Sequence, residues 1–125
     1  MVIYTDGHCE GPNGVGGMFA NSGYTEIMVS KALGTMATED ITKIHYKKKG
    51  LTNNEAELLA IAHALFLANK GDVIKSDSEF AVGLSAKNWK TKHERFHLLI
   101  CFIRSLIKMS EVRVEWIKRE DNPVT

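Results

Sequence analysis

The order of elements along the chain predicts an α/β domain: a mixed sheet with helices packed on it. Three observations lead there. Short β-favouring runs with turn signals between them fill residues 1–46. A long apolar run from Ala56 to Ala68 follows, broken only by Glu57 and His63. Strand-like and helix-like stretches then alternate to the end of the chain.

Taken in order, residues 1–5 are a short apolar strand that Asp6-Gly7 is expected to end. Residues 8–14, HCEGPNG, form a turn-rich loop. Residues 15–20, with Gly16 and Gly17, read as a second strand paired with the first, where glycine permits close backbone approach. Residues 24–31 continue as strand after a turn at Asn21-Ser22-Gly23, and residues 41–46 are another strand or an extension of it. The central helix is expected over residues 53–69. Residues 72–76 are a strand, 78–86 a helix, and 87–92 a basic connector holding Trp89. Residues 94–109 form an amphipathic helix, because Phe96, Leu99, Ile100, Ile103, Leu106 and Ile107 recur at core spacing. Residues 112–117 are the last strand. Phe96 and Trp116 read as core, His45 and His97 as surface.

At 125 residues and 44% hydrophobic, the chain is long enough for one domain with a real core, spanning residues 1–125. A formal charge of +1 gives no global pull towards polyanions or membranes. Basic residues cluster locally, at Lys47–Lys49, from Lys87 to Arg95, and at Lys118-Arg119. Two cysteines, Cys9 and Cys101, suit a reducing cytoplasm better than a disulfide scaffold. No signal peptide opens the chain and no apolar run approaches the roughly 20 residues of a membrane span. The expectation is a cytoplasmic monomer that does not engage membranes.

The stretch TNNEAE, from Thr52 to Glu57, carries more chemistry than a helix start needs. Thr52, Asn53 and Asn54 are N-cap types, and Glu55 stands three after Thr52, as in a capping box. A carboxylate buried in the first turn of an apolar helix is costly without a partner. Asp6 and Asp77 share one topological address, directly after a strand, where the sites of α/β folds gather. Singly, each has an ordinary explanation: Asp6 as a turn residue before Gly7, Asp77 as the cap of the following helix. Together with a helix acid they suit Mg²⁺ or Mn²⁺, which take oxygen ligands.

These residues resemble the type 1 ribonuclease H family. The matching stretches are Tyr4-Thr5-Asp6-Gly7 with Cys9 and its glycine-rich turn, Thr52-Asn53-Asn54 with Glu57, Ser76-Asp77-Ser78, and Val114-Glu115-Trp116-Ile117. They fall in the family's order over nearly the whole chain. The resemblance implies a mixed five-stranded sheet, three antiparallel strands and then helix–strand–helix–strand, with helices on both faces. The family's final helix is absent from this chain, and the short basic connector matches its compact form without a basic handle. A longer hairpin than usual is expected between Gly23 and Gly50.

The resemblance assigns metal ligation and catalysis to Asp6, Glu57 and Asp77. Glu55 and Glu57 lie about 200° apart around a helix, so they cannot share one metal; the family's spacing selects Glu57. Implied with them is hydrolysis of the RNA strand of an RNA–DNA hybrid by two Mg²⁺ or Mn²⁺ ions roughly 4 Å apart, leaving 5′-phosphate and 3′-hydroxyl ends. Gly7, Cys9, Gly11, Asn13, Gly14, Thr52, Asn53 and Asn54 are the implied substrate contacts, reading 2′-hydroxyls across a wide minor groove. Lys87, Trp89 and Lys90 either contact phosphates of the DNA strand or form a solvated surface. The family's fourth acid comes after the segment of residues 119–123: either this chain is truncated before it, or Glu120 or Asp121 substitutes for it, or the site has three ligands. No histidine in residues 118–125 serves as a proton shuttle, and His63 lies about 240° from Glu57. The alternative is a ribonuclease H-fold module that binds nucleic acid with weak or no catalysis.

Overall fold

The computed structural model describes residues 2–10, 24–32, 42–48, 53–91 and 94–122. They build a five-stranded sheet in the order β3-β2-β1-β4-β5. Strand β1 (Val2–Glu10) pairs antiparallel with β2 (Tyr24–Ala32), and β2 with β3 (Thr42–Lys48). On its other side β1 runs parallel to β4 (Val73–Ser76), which runs parallel to β5 (Arg113–Trp116). Helix α1 (Asn53–Leu67) joins β3 to β4. Helices α2 (Glu79–Ala86) and α3 (His97–Ser110) lie between β4 and β5.

Strand β1 does not stop at Thr5, as the Asp-Gly pair led the sequence reading to expect. Gly7, His8, Cys9 and Glu10 stay in the ladder opposite Ile27, Glu26, Thr25 and Tyr24. The neighbouring strand supplies backbone partners that outweigh the local turn preference, since strand formation follows context more than propensity. Asp6 therefore lies inside a strand. The expected strand at residues 15–20 and the loops around it fall outside the described residues.

The three helices of the described residues pack on one face of the sheet, not on both as expected. The reason is handedness: the crossovers from β3 to β4 and from β4 to β5 step along the sheet in one direction, and right-handed connections then put α1, α2 and α3 on the same side. Ile3, Ile74 and Val114 stand side by side in the register. They join Leu58, Ile61, Leu84 and Ile103 in a single buried cluster. Helix α1 touches β1, β2 and β4 as well as α2 and α3. That is why its run is apolar almost all round. In α3, Ile100 and Ile103 are buried with Phe96 of the preceding turn, while Leu99, Leu106 and Ile107 pack against the cluster, as their spacing predicts. Among the described residues no helix is long and apolar enough to cross a membrane.

Candidate active site

The lengths of β1 and β4 create the site. Their pairing ends at Thr5 and Ser76, so β1 runs on past the end of its neighbour. Asp6 lies on that extension, and Asp77 follows the last residue of β4 beside it. Helix α1 closes the third side, and Gly7 allows it to come close. A Cβ on Gly7 would lie 2.6 Å from the Glu57 nitrogen and nearer still to the Ala56 carbonyl, so only glycine fits. The Gly7 N–H donates to Glu57 Oε1. One carboxylate oxygen each from Asp6, Glu57 and Asp77 lie within 4.8 Å of one another.

Neither ordinary explanation of the aspartates survives. Asp6 is in a strand, not a turn. The cap of α2 is Ser78, whose Oγ accepts from the Ala81 N–H at 3.1 Å. Glu55 is buried like Glu57, so it does not face solvent.

Burial pushes the Glu57 carboxyl up from 4.5 to about 9. The negative charge of Asp6 adds to the rise, as do Asp77 and a hydrogen bond with Asp6, against the opposing Gly7 N–H. Glu57 thus holds a proton at neutral pH in the metal-free protein, because burial first, and then the neighbouring Asp6 charge, disfavour its ionised form. A hard cation would take the place of that proton, and an all-oxygen donor set fits Mg²⁺ or Mn²⁺.

Two residues support the cluster in ways the sequence reading did not foresee. Asn122 is buried; its Nδ2 donates to the Thr5 carbonyl at 2.9 Å and to Asp77 Oδ2 at 3.4 Å. It ties the last segment to both β1 and Asp77. Trp116 is half-exposed rather than core, and its indole N–H donates to the Asp77 carbonyl at 3.1 Å. It points there because β5 is the edge of the sheet and Ser76 pairs with Trp116. Asp121, the stand-in for a fourth acid, is exposed in the turn Arg119–Asp121 and is not in the cluster, and neither is Glu120. The group from this segment that reaches Asp77 is the neutral amide of Asn122. An isolated asparagine between Asp121 and Pro123 carries no local signal of that role.

The remaining predicted contacts separate into groups. Asn53 opens α1, and Asn54 is exposed in its first turn. Cys9 is in β1, while Gly11, Asn13, Gly14 and Thr52 lie outside the described residues. Lys87, Trp89 and Lys90 are not near the acids, because α2 starts just after Asp77 and its eight residues carry them about 12 Å away at 1.5 Å per residue. There the Trp89 ring lies on Gly83, the Trp89 backbone N–H donates to the Gly83 carbonyl at 3.1 Å, and the Trp89 carbonyl accepts from Arg104 Nη2 at 2.8 Å. Lys87 and Lys90 are exposed beside it.

A family model described as RNase H matches residues 1–121. The chain belongs to the RNase H family. A ribonuclease H from Caulobacter sp. (strain K31) is 34% identical over 101 residues, covering 73% of this chain and 57% of that protein. The chain therefore spans 57% of the length of that relative. RNase H1 from the archaeon Halobacterium salinarum NRC-1 superposes with a TM-score of 0.74 at 18% identity, over 95% of this chain and 86% of that one. LC11-RNase H1, solved in complex with an RNA/DNA hybrid, superposes with a TM-score of 0.70 at 20% identity, over 99% and 89%. At these identities the solved structures establish a shared RNase H-like α/β fold.

Proposed function

We propose that this RNase H chain is an endoribonuclease that hydrolyses the RNA strand of RNA–DNA hybrids, with two divalent cations held by Asp6, Glu57 and Asp77. The observation that carries the reading is the convergence of these three carboxylates at the open end of β1. Bound Mg²⁺ or Mn²⁺ would supply water activation and charge stabilisation at the leaving 3′ oxygen. The protein's own part is positioning. The Gly7 N–H fixes the Glu57 carboxyl, and the Trp116 indole and Asn122 amide fix Asp77 from two directions. The exposed amide of Asn54, on the turn of α1 that carries Glu57, is a donor and acceptor suited to a 2′-hydroxyl. Lys87 and Lys90, with the exposed part of Trp89, offer phosphate contacts further along the surface. The hybrid complex of LC11-RNase H1 supports the substrate class.

A second reading, a hybrid-binding module with weak chemistry, is favoured by one observation: the group that accompanies Asp77 from the last segment is a neutral amide. One experiment separates the two. Labelled RNA–DNA hybrid is incubated with wild type and Asp6→Asn in Mg²⁺ or Mn²⁺, with duplex DNA and duplex RNA as controls. Hybrid-specific cutting lost in Asp6→Asn supports the enzyme. Folded protein that binds hybrid yet cuts with neither metal supports the module.

A further inference from the structure

A second feature lies at the far end of α2, away from the acids. A cleft of about 550 Å³ opens between the end of α2, the flank of α3 and β5. Arg104, Lys108 and Arg113 stand on its walls with one acid, Glu115, which already lies 3.7 Å from Arg113. Arg104 donates to the neutral carbonyls of Leu84 and Trp89, each at 2.8 Å, so its charge is held in place without being cancelled. Between the cations the walls are apolar, formed by Ile107, Val112 and Val114.

Two further observations concern hydrogen bonding. Strand β5 ends the sheet. Its Arg113 and Ile117 N–H groups turn to β4, donating to the Asp72 and Ser76 carbonyls at 3.2 and 3.0 Å. Strand alternation then turns the N–H and C=O of Val114 to the open edge. Ser85 also lines the cleft, and its Oγ is buried without a partner among the described residues. A buried hydroxyl left unpaired is costly, and a group bound in the cleft would satisfy it.

We propose that this cleft docks an extended, acidic peptide segment of a partner protein, laid along the open edge of β5. A peptide answers all four features at once. Its backbone pairs with Val114 in the manner of strand addition, its apolar side chains meet Ile107 and Val112, its carboxylates meet the three cations, and a backbone group reaches Ser85. A nucleic-acid backbone answers only the cations. The cleft lies at the opposite end of α2 from the acid cluster and adjoins the basic connector, with Ala86 and Asn88 lining it on either side of Lys87, so its occupancy leaves the acids open.

The test is fluorescence anisotropy with a fluorescein-labelled peptide of alternating Asp and Leu, against wild type and the double variant Lys108→Glu/Arg113→Glu. Both side chains are exposed, so the variant is expected to fold, melt and process hybrid as wild type does. The acidic peptide should bind wild type with a Kd on the order of 100 µM or tighter and the double variant about tenfold more weakly. In ¹⁵N-labelled protein the Val114 amide should shift on titration. Failure to bind at about 1 mM, equal binding of a Lys/Leu peptide, or unchanged affinity in the variant would overturn the proposal. Displacement of the peptide by a short RNA–DNA hybrid would overturn it in favour of a nucleic-acid surface.

Discussion

Glu57 couples the site to stability through its proton. Its carboxyl stands near 9 in the folded, metal-free protein and near 4.5 when unfolded. Between those values the folded state binds more protons than the unfolded one, so stability falls as pH rises. In a chelator, Tm should fall as pH rises from 5 to 9, and Glu57→Gln should flatten that dependence in calorimetry. A wild-type Tm that rises over this window would contradict the assigned burial of the group. Gly7 is the other constrained residue. Gly7→Ala places a methyl against the α1 backbone, not against a yielding side chain, and should cost about 3 kcal/mol or more, measured by urea unfolding. Asn122→Ala removes the buried partner of the Thr5 carbonyl and one anchor of Asp77. A loss of about 1–3 kcal/mol is expected, with slower hybrid cleavage; an unchanged urea midpoint would remove Asn122 from the supporting frame.

At the scale of elements, the link between α2, the basic connector and α3 makes a prediction of its own. A Cβ on Gly83 would lie 2.7 Å from Trp89 Cζ3 and closer to two other ring carbons, so Gly83→Ala must lift the indole. Trp89 and its neighbouring lysines would shift while Asp77, at the other end of α2, stays in place. KM for hybrid should rise severalfold with kcat nearly unchanged; the reverse pattern would show that the connector positions the acids. This element also shows where local reading succeeds. The 3.6-residue spacing of Phe96, Ile100 and Ile103 marks the buried face of α3, because a helix against a sheet needs one apolar stripe. Strand β1 is the contrary case. Asp6-Gly7 is a turn signal by itself, and only the partner strand from Tyr24 to Ala32 makes it part of a ladder.

For the molecule as a whole, three carboxylates meeting at one sheet end destabilise the metal-free protein and favour a cation-bound one. Mg²⁺ should raise Tm with concentration, by about 2.7 kcal/mol of stability at a hundredfold excess over Kd. Asp6→Asn and Asp77→Asn should melt higher than wild type in chelator and lose most of the Mg²⁺ response. Absence of any Mg²⁺ effect on the wild type would argue against metal ligation by this cluster. The sequence by itself determined the α/β order of elements and the core face of α3, because periodicity is written along the chain. Its resemblance to the family's motifs singled out Glu57 beside Asp6 and Asp77, a choice that periodicity left open. Tertiary structure decided what depends on neighbours distant in sequence. It placed Asp6 within a strand, put the described helices on one face, brought the Asn122 amide to Asp77 and turned Trp116 outward. Each of these rests on a contact between residues far apart in the chain, and no local pattern of side chains records which residue a folded backbone will bring alongside another.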